Sequence, residues 1–158
     1  MQAVAHVRAR VEPAEEAVAH RLLPDRALAL YQAMPMADRR HALDVVDKLL
    51  AAGHDDRDLL AAALLHDTAK GERMRLWHRA TGVLLEALAP GFLRRLASDD
   101  PRSWRHPFHL YLDHARLSAE LAANAGCGPR VGAFITGAAD EGADAHLLAA
   151  LKRADDAS

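Results

Sequence analysis

At 158 residues and 17.2 kDa the chain has the length of one domain, large enough to bury roughly two thirds of the surface of its unfolded form. The formal net charge of -2 comes from 20 basic and 22 acidic side chains spread along the chain, which leaves no basic arm or patch for nucleic acid, and no run of about 18 apolar residues offers a membrane span. Hydrophobic residues make up 51% but aromatics only 4%, so the core must be built from Ala, Leu and Val, which predicts an all-α fold in one multi-helix domain.

The start, MQAVAHVRARVEPAEE, is charged throughout and lacks the apolar centre of a signal peptide. With one cysteine, Cys127, no intramolecular disulfide can form. Both features predict a cytoplasmic protein. Pro13 opens a helix with Glu15 and Glu16 in its first turn that ends near Pro24. Residues 1–24 therefore read as an N-terminal helical extension packed on a domain of residues 25–158. Asp25 is placed to cap Arg26 to Ala33, which Pro35 stops. Asp38 is placed to cap RRHALDVVDKLLAA, which Gly53 ends.

Asp55 or Asp56 caps the next helix, whose apolar run Leu59-Leu60-Ala61-Ala62-Ala63-Leu64-Leu65 leads into His66 and Asp67, with Gly71 just beyond. MRLWHRATGVLLEALA reads as a further helix up to Pro90, followed by a short piece, GFLRRLA. SDDPRSWRHPF is the most loop-like stretch. The last helices run from about Leu110 to Asn124, Pro129 to Asp140 and Ala143 to Asp155, separated by Gly126, Gly128 and Gly142. Gly126-Cys127-Gly128 reads as a turn, and Cys127 as a small apolar filler.

Helical phase sorts the polar residues. His41 shares a face with Val45 and Leu49. His66 is backed by Leu59, Ala62 and Ala63. Asp155 follows Leu148 and Leu151 at whole turns, whereas Asp156 follows Lys152 and Arg153 and reads as solvated. His114 lies in the stripe Leu110, Leu117, Leu121, while His109, Asp113, Arg116 and Glu120 trace a polar stripe. One inward histidine is easily a satisfied core residue. Three of them, with Asp67 beside one and Asp155 inward, point to a shared polar site. A buried carboxylate costs several kcal/mol unless a cation or donors compensate it.

Imidazoles and carboxylates together make a mixed nitrogen and oxygen ligand set with positions left for water and substrate, suited to Mn, Fe, Co, Ni or Zn more than to Ca, with Mg a further candidate. Metal-assisted phosphoester hydrolysis is the natural chemistry. Lys70, at i+4 from His66 and i+3 from Asp67, lies over the same site if the helix persists one more turn, placed to neutralise phosphate charge. Its plainer reading is a lysine favoured by the helix C-terminus. There is no Gly-rich phosphate loop, G-x-S-x-G, H-E-x-x-H or C-x-x-C.

RRHALDVV, AALLHDTAKG and LLAALKRADDAS, in that order over about residues 25 to 156, resemble the H…HD…D signature of the HD superfamily of metal-dependent phosphohydrolases. The resemblance implies an all-α HD-type domain in which His41, His66, Asp67 and Asp155 ligate one divalent cation, with Asp67 and Lys70 serving the reaction. It further implies a small phosphorylated substrate, commonly a nucleotide. Several members are dimers, and the Ala-rich faces here would allow a homodimer.

DHARLSAELAANAGC looks like the later His-containing helix of that family, which makes His114 a second-metal ligand or phosphate contact. Where many members carry one or two histidines, this chain has Phe134-Ile135-Thr136-Gly137-Ala138-Ala139-Asp140. That departure favours one metal, leaves Asp140 as the nearby replacement candidate, and keeps open a second reading: a catalytically weak or inactive metal- or nucleotide-binding regulatory module. Arg75, His78 and Arg79 either line the pocket or form a charged outer face.

Overall fold

Proline punctuation sets the first helices of the computed structural model, which describes residues 13–70, 89–100, 102–140 and 142–158. Helix α1 spans Pro13–Leu22, α2 Asp25–Gln32 and α3 Met36–Ala51. Asp25 and Asp38 do not act as caps. The N-cap positions belong to Pro24 (φ -65°, ψ 156°) and Pro35 (φ -51°, ψ 145°). Their carbonyls accept the first helical bonds from Leu28 and Arg39, and the N–H a proline lacks is not needed there. The two aspartates sit in the first turns, where the helix dipole favours them.

Helix α4 spans Arg57–Leu65, capped by the Asp56 carboxylate, which accepts from the N–H groups of Asp58 (3.1 Å) and Leu59 (3.0 Å). All seven residues from Leu59 to Leu65 are buried. A helix apolar on every side has to be surrounded, and α4 packs against α1, α2 and α3 and against three later helices.

Those later elements are α5 (Pro90–Leu96), α6 (His106–Asn124), α7 (Pro129–Thr136), a 3₁₀ turn (Gly142–Asp144) and α8 (Ala145–Asp156). The described residues contain no strand, and the fold is an all-α single domain. None of their helices is long and apolar enough to cross a membrane. Ala19 and Leu23 join the same core as α3, α4, α7 and α8. The helix expected between Met74 and Ala89 lies almost wholly outside the described residues, as do Arg75, His78 and Arg79.

Two later boundaries differ from expectation. Helix α6 begins at His106, four residues before Leu110, because Pro107 is tolerated in a first turn. Its buried face holds Phe108, Ser118 and Ala122 rather than the leucine stripe, and Leu121 is 37% exposed. Small residues let α6 approach its neighbours: a Cβ on Gly132 of α7 would stand 3.8 Å from Ala119 Cβ. Helix α7 stops at Thr136, well short of Asp140, because Gly137 turns left-handed (φ +78°).

Arg130 joins three of these elements. Its guanidinium pairs in two-pronged fashion with Asp144 (2.7 and 2.8 Å), reaches both oxygens of the capping Asp56 (2.7 and 2.8 Å), and lies 5.1 Å from the centroid of the Phe134 ring. Burial would raise Asp56, but the bonds from Arg130 and from the N–H groups of Leu59 and Asp58 together outweigh it and hold the carboxyl below its usual range, and Arg130 likewise holds Asp144 low. Arg130→Met is expected to lower Tm by about 3–6 °C, and Arg130→Lys to recover less than half of that, because an ammonium cannot reproduce the fork. A thermal melt of Arg130→Met that overlays the wild type would remove the clasp from the account.

Candidate metal centre

Helix α4 delivers its C-terminal residues into the interior and then tightens. Beyond Leu65 the chain makes i to i+3 turns, Thr68 N–H to Leu65 O (3.1 Å) and Lys70 N–H to Asp67 O (3.0 Å). Ser118 of α6, fully buried, accepts from the N–H of Ala69 (3.1 Å) and pins this turn. Asp67 is left only 2% exposed. The tightened turn brings Lys70 onto Asp67 itself, 2.6 Å from Oδ1 and 2.7 Å from Oδ2, rather than over His66 one helical turn away. Only the Oδ2 contact has hydrogen-bond geometry, so Oδ1 has no directed donor.

Three helices bring the remaining groups together. His41 of α3 places Nε2 2.8 Å from Oδ1 of Asp155 on α8, and His66 Nε2 lies 3.4 Å from the same oxygen. The imidazole centroids are 5.5 Å apart. One ligating atom each from His41, His66 and Asp155 falls within 4.8 Å of the others, a spacing one cation can bridge. Asp67, expected as the fourth ligand, stands one step outside this triad: its Oδ1 is 3.6 Å from His66 Nε2 while Lys70 engages the carboxylate. Asp155 faces the cluster and Asp156 is exposed.

The His66 ring is fixed in orientation. Its Nδ1–H donates to Ala63 O (2.8 Å), so Nε2 is the atom presented to the two carboxylates, buried and with no hydrogen-bond partner. An orphaned imidazole nitrogen facing carboxylates calls for a proton or a metal ion. Burial disfavours the imidazolium, but Asp155 and Asp67 outweigh it and raise the His66 pKa. The hydrogen bond from His41 and the nearby His66 imidazole push Asp155 far below the usual carboxylate range, against its partial burial. Burial would raise Asp67, yet His66 and Lys70 hold it low. The donor set of two imidazoles and two carboxylates fits a borderline divalent cation.

Beside the triad lies a cavity of about 220 Å³, lined by His66, Asp155, His114, Lys152 and the apolar wall from Phe134 to Gly137. His114 repeats the device of His66. Its Nδ1–H donates to Tyr111 O (2.9 Å), and burial together with Lys70 depresses its pKa, so a neutral ring borders the cavity. Asp140 is exposed and is not among the lining residues. His109 pairs with Asp113 (3.0 Å) and Arg116 with Glu120 (2.6 Å), the surface stripe the spacing predicts. Two contributors lie outside the sequence-based set. Ser118 gives no signal except its place at i+4 from His114. Lys152, which the helical phase groups with the solvated face of α8, is exposed and yet borders the cavity, three residues before Asp155.

The protonation of this cluster predicts a pH profile for the metal-free protein. The raised pKa of His66 gives stability that is complete below its unfolded value of about 6.5 and is lost as pH rises through the folded value. The lowered pKa values of Asp67 and Asp155 give stability present above about pH 4 and lost on acidification. His114, whose pKa is depressed, acts the opposite way in the same window, so the His66 contribution is read by difference: in chelator, the slope of stability from pH 6 to pH 8 should be more negative in the wild type than in His66→Gln. An equal slope in both proteins would contradict the assignment. Comparisons of the chain with protein-family models, with curated proteins and with solved structures return no match, so the residues themselves carry the functional argument.

Proposed function

We propose that this chain is a metal-dependent phosphohydrolase of the HD type, acting in the cytoplasm on the phosphate ester of a nucleotide or related small molecule. The observation that carries the reading is His66: a buried Nε2 without a partner, its ring oriented by Ala63 O, facing Asp155 and Asp67. The order of His41, His66-Asp67 and Asp155 along an all-α chain is the arrangement that the HD resemblance implies. A single half-buried Cys127 suits a reducing compartment.

His41, His66 and Asp155 would hold one divalent cation, with Asp67 completing the set when its carboxylate turns from Lys70. The bound cation supplies Lewis-acid activation of water and of the phosphoryl group. Asp67 would orient the nucleophilic water and accept its proton. Lys70, released from Asp67, would offset the charge that grows on the phosphoryl oxygens. His114, with only Nε2 facing the cavity, would hydrogen-bond the substrate. A second reading, a regulatory module that holds metal or nucleotide without turnover, draws on one observation: no imidazole or carboxylate comes from the Phe134–Gly137 wall, and Asp140 stands away.

Elemental analysis with a phosphatase assay over nucleotides and generic phosphoesters, supplied in turn with Mn, Co, Ni, Mg and Zn, separates the two readings. The enzyme reading predicts one divalent ion per chain and metal-dependent turnover; metal without turnover leaves the module. Asp155→Ala and Asp67→Ala should each lower metal occupancy at least about tenfold, with Asp156→Ala near the wild type. Lys70→Met should keep the metal and lose about 10²-fold or more in kcat. Full metal occupancy in Asp155→Ala would sink the ligand assignment.

A further inference from the structure

Two lysines stand near the cavity, and only one is engaged. The ammonium of Lys70 is taken by both oxygens of Asp67. Lys152 lines the cavity with His66, His114 and Asp155, yet among the described residues its Nζ has neither a hydrogen bond nor an ion pair. Asp155, its cavity neighbour one turn along α8, turns its Oδ1 to His41 at 2.8 Å, with His66 Nε2 3.4 Å from the same oxygen.

Gly137 shapes the space around this ammonium. It sits at the left-handed end of α7 (φ +78°), where glycine is strongly favoured. A Cβ there would stand 4.0 Å from Lys152 Nζ, an ordinary van der Waals contact, so the ammonium lies close to the backbone at the end of α7. The wall it crosses, Phe134, Ile135, Thr136 and Gly137, brings no charge of its own. Lys152 is thus the one described cationic side chain that borders the cavity without a carboxylate to neutralise it.

We propose that Lys152 is the anion-recognising residue of this cavity, taking phosphoryl oxygens of the ligand beside the metal centre. The inference rests on the phosphohydrolase reading for its ligand class. An ammonium at this position binds a phosphate as a point charge through up to three N–H donors, without demanding a planar acceptor. It also gives the cavity a sign: with a divalent cation at the triad, anions are drawn in and cations repelled.

The test is calorimetric titration of inorganic phosphate into the Mn-loaded full chain, with metal content and Tm measured for every protein. Lys152→Met and Lys152→Gln should each weaken phosphate binding about tenfold or more, Lys152→Arg should stay within about threefold of the wild type, and all three should keep metal and Tm. In any assay with turnover the Met variant should raise KM far more than it lowers kcat. Phosphate binding unchanged in both neutral variants, or a metal-loaded wild type that takes no phosphate, overturns the inference and leaves the metal centre standing. Weakened binding in all three with a lowered Tm assigns Lys152 to supporting the end of α7, and also overturns it. A wild type that takes up no divalent ion removes the functional reading and this inference together.

Discussion

A carboxylate buried at the end of an all-apolar helix is the constraint on which the rest of this structure depends. Asp67 is 2% exposed, and the seven residues that carry it inward, Leu59 to Leu65, offer it nothing polar. An uncompensated charge there would cost several kcal/mol, a large share of the stability of a domain this size. The chain answers with a tightened turn that swings Lys70 onto the carboxylate, a buried Ser118 that holds the turn, and the imidazole of His66 alongside.

The same constraint fixes α4 at both ends. At its N-terminus Asp56 caps the helix and is gripped by Arg130, which also reaches Asp144 ahead of α8. At its C-terminus His66 meets Asp155 near the end of α8 and His41 stands on α3. Ion pairs at opposite ends of one buried helix set the position of α8, and with it the distance between Asp155 and the imidazoles. Candidate ligands drawn from three helices of a packed core are held by that core, as a preorganised metal site would require.

Much of this was legible in the sequence, because a 3.6-residue period assigns faces without any knowledge of neighbours. It separated Asp155 from Asp156 and brought His41 and His66 inward. What it could not give were features decided by tertiary packing. The leucine stripe of α6 yielded to a buried Phe108 and to Ser118 and Ala122, whose small side chains permit close helix approach. Pro24 and Pro35 displaced the aspartates expected as caps, and Gly137 ended α7 where an apolar pattern suggested continuation. Lys152 sits among charged neighbours on α8, and only the cavity it borders distinguishes it from a solvated lysine.

The proposed ligation of a divalent ion by His66 Nε2, oriented by the bond from Nδ1 to Ala63 O, together with His41 and Asp155 is open to direct measurement. Long-range ¹⁵N–¹H correlation of the imidazoles during titration with Zn tests it most directly. The Nε2 signals of His41 and His66 should move together and saturate near one equivalent, while His66 keeps its Nδ1 proton. Saturation with Zn that leaves both rings unmoved, or that binds His66 through Nδ1, would contradict it.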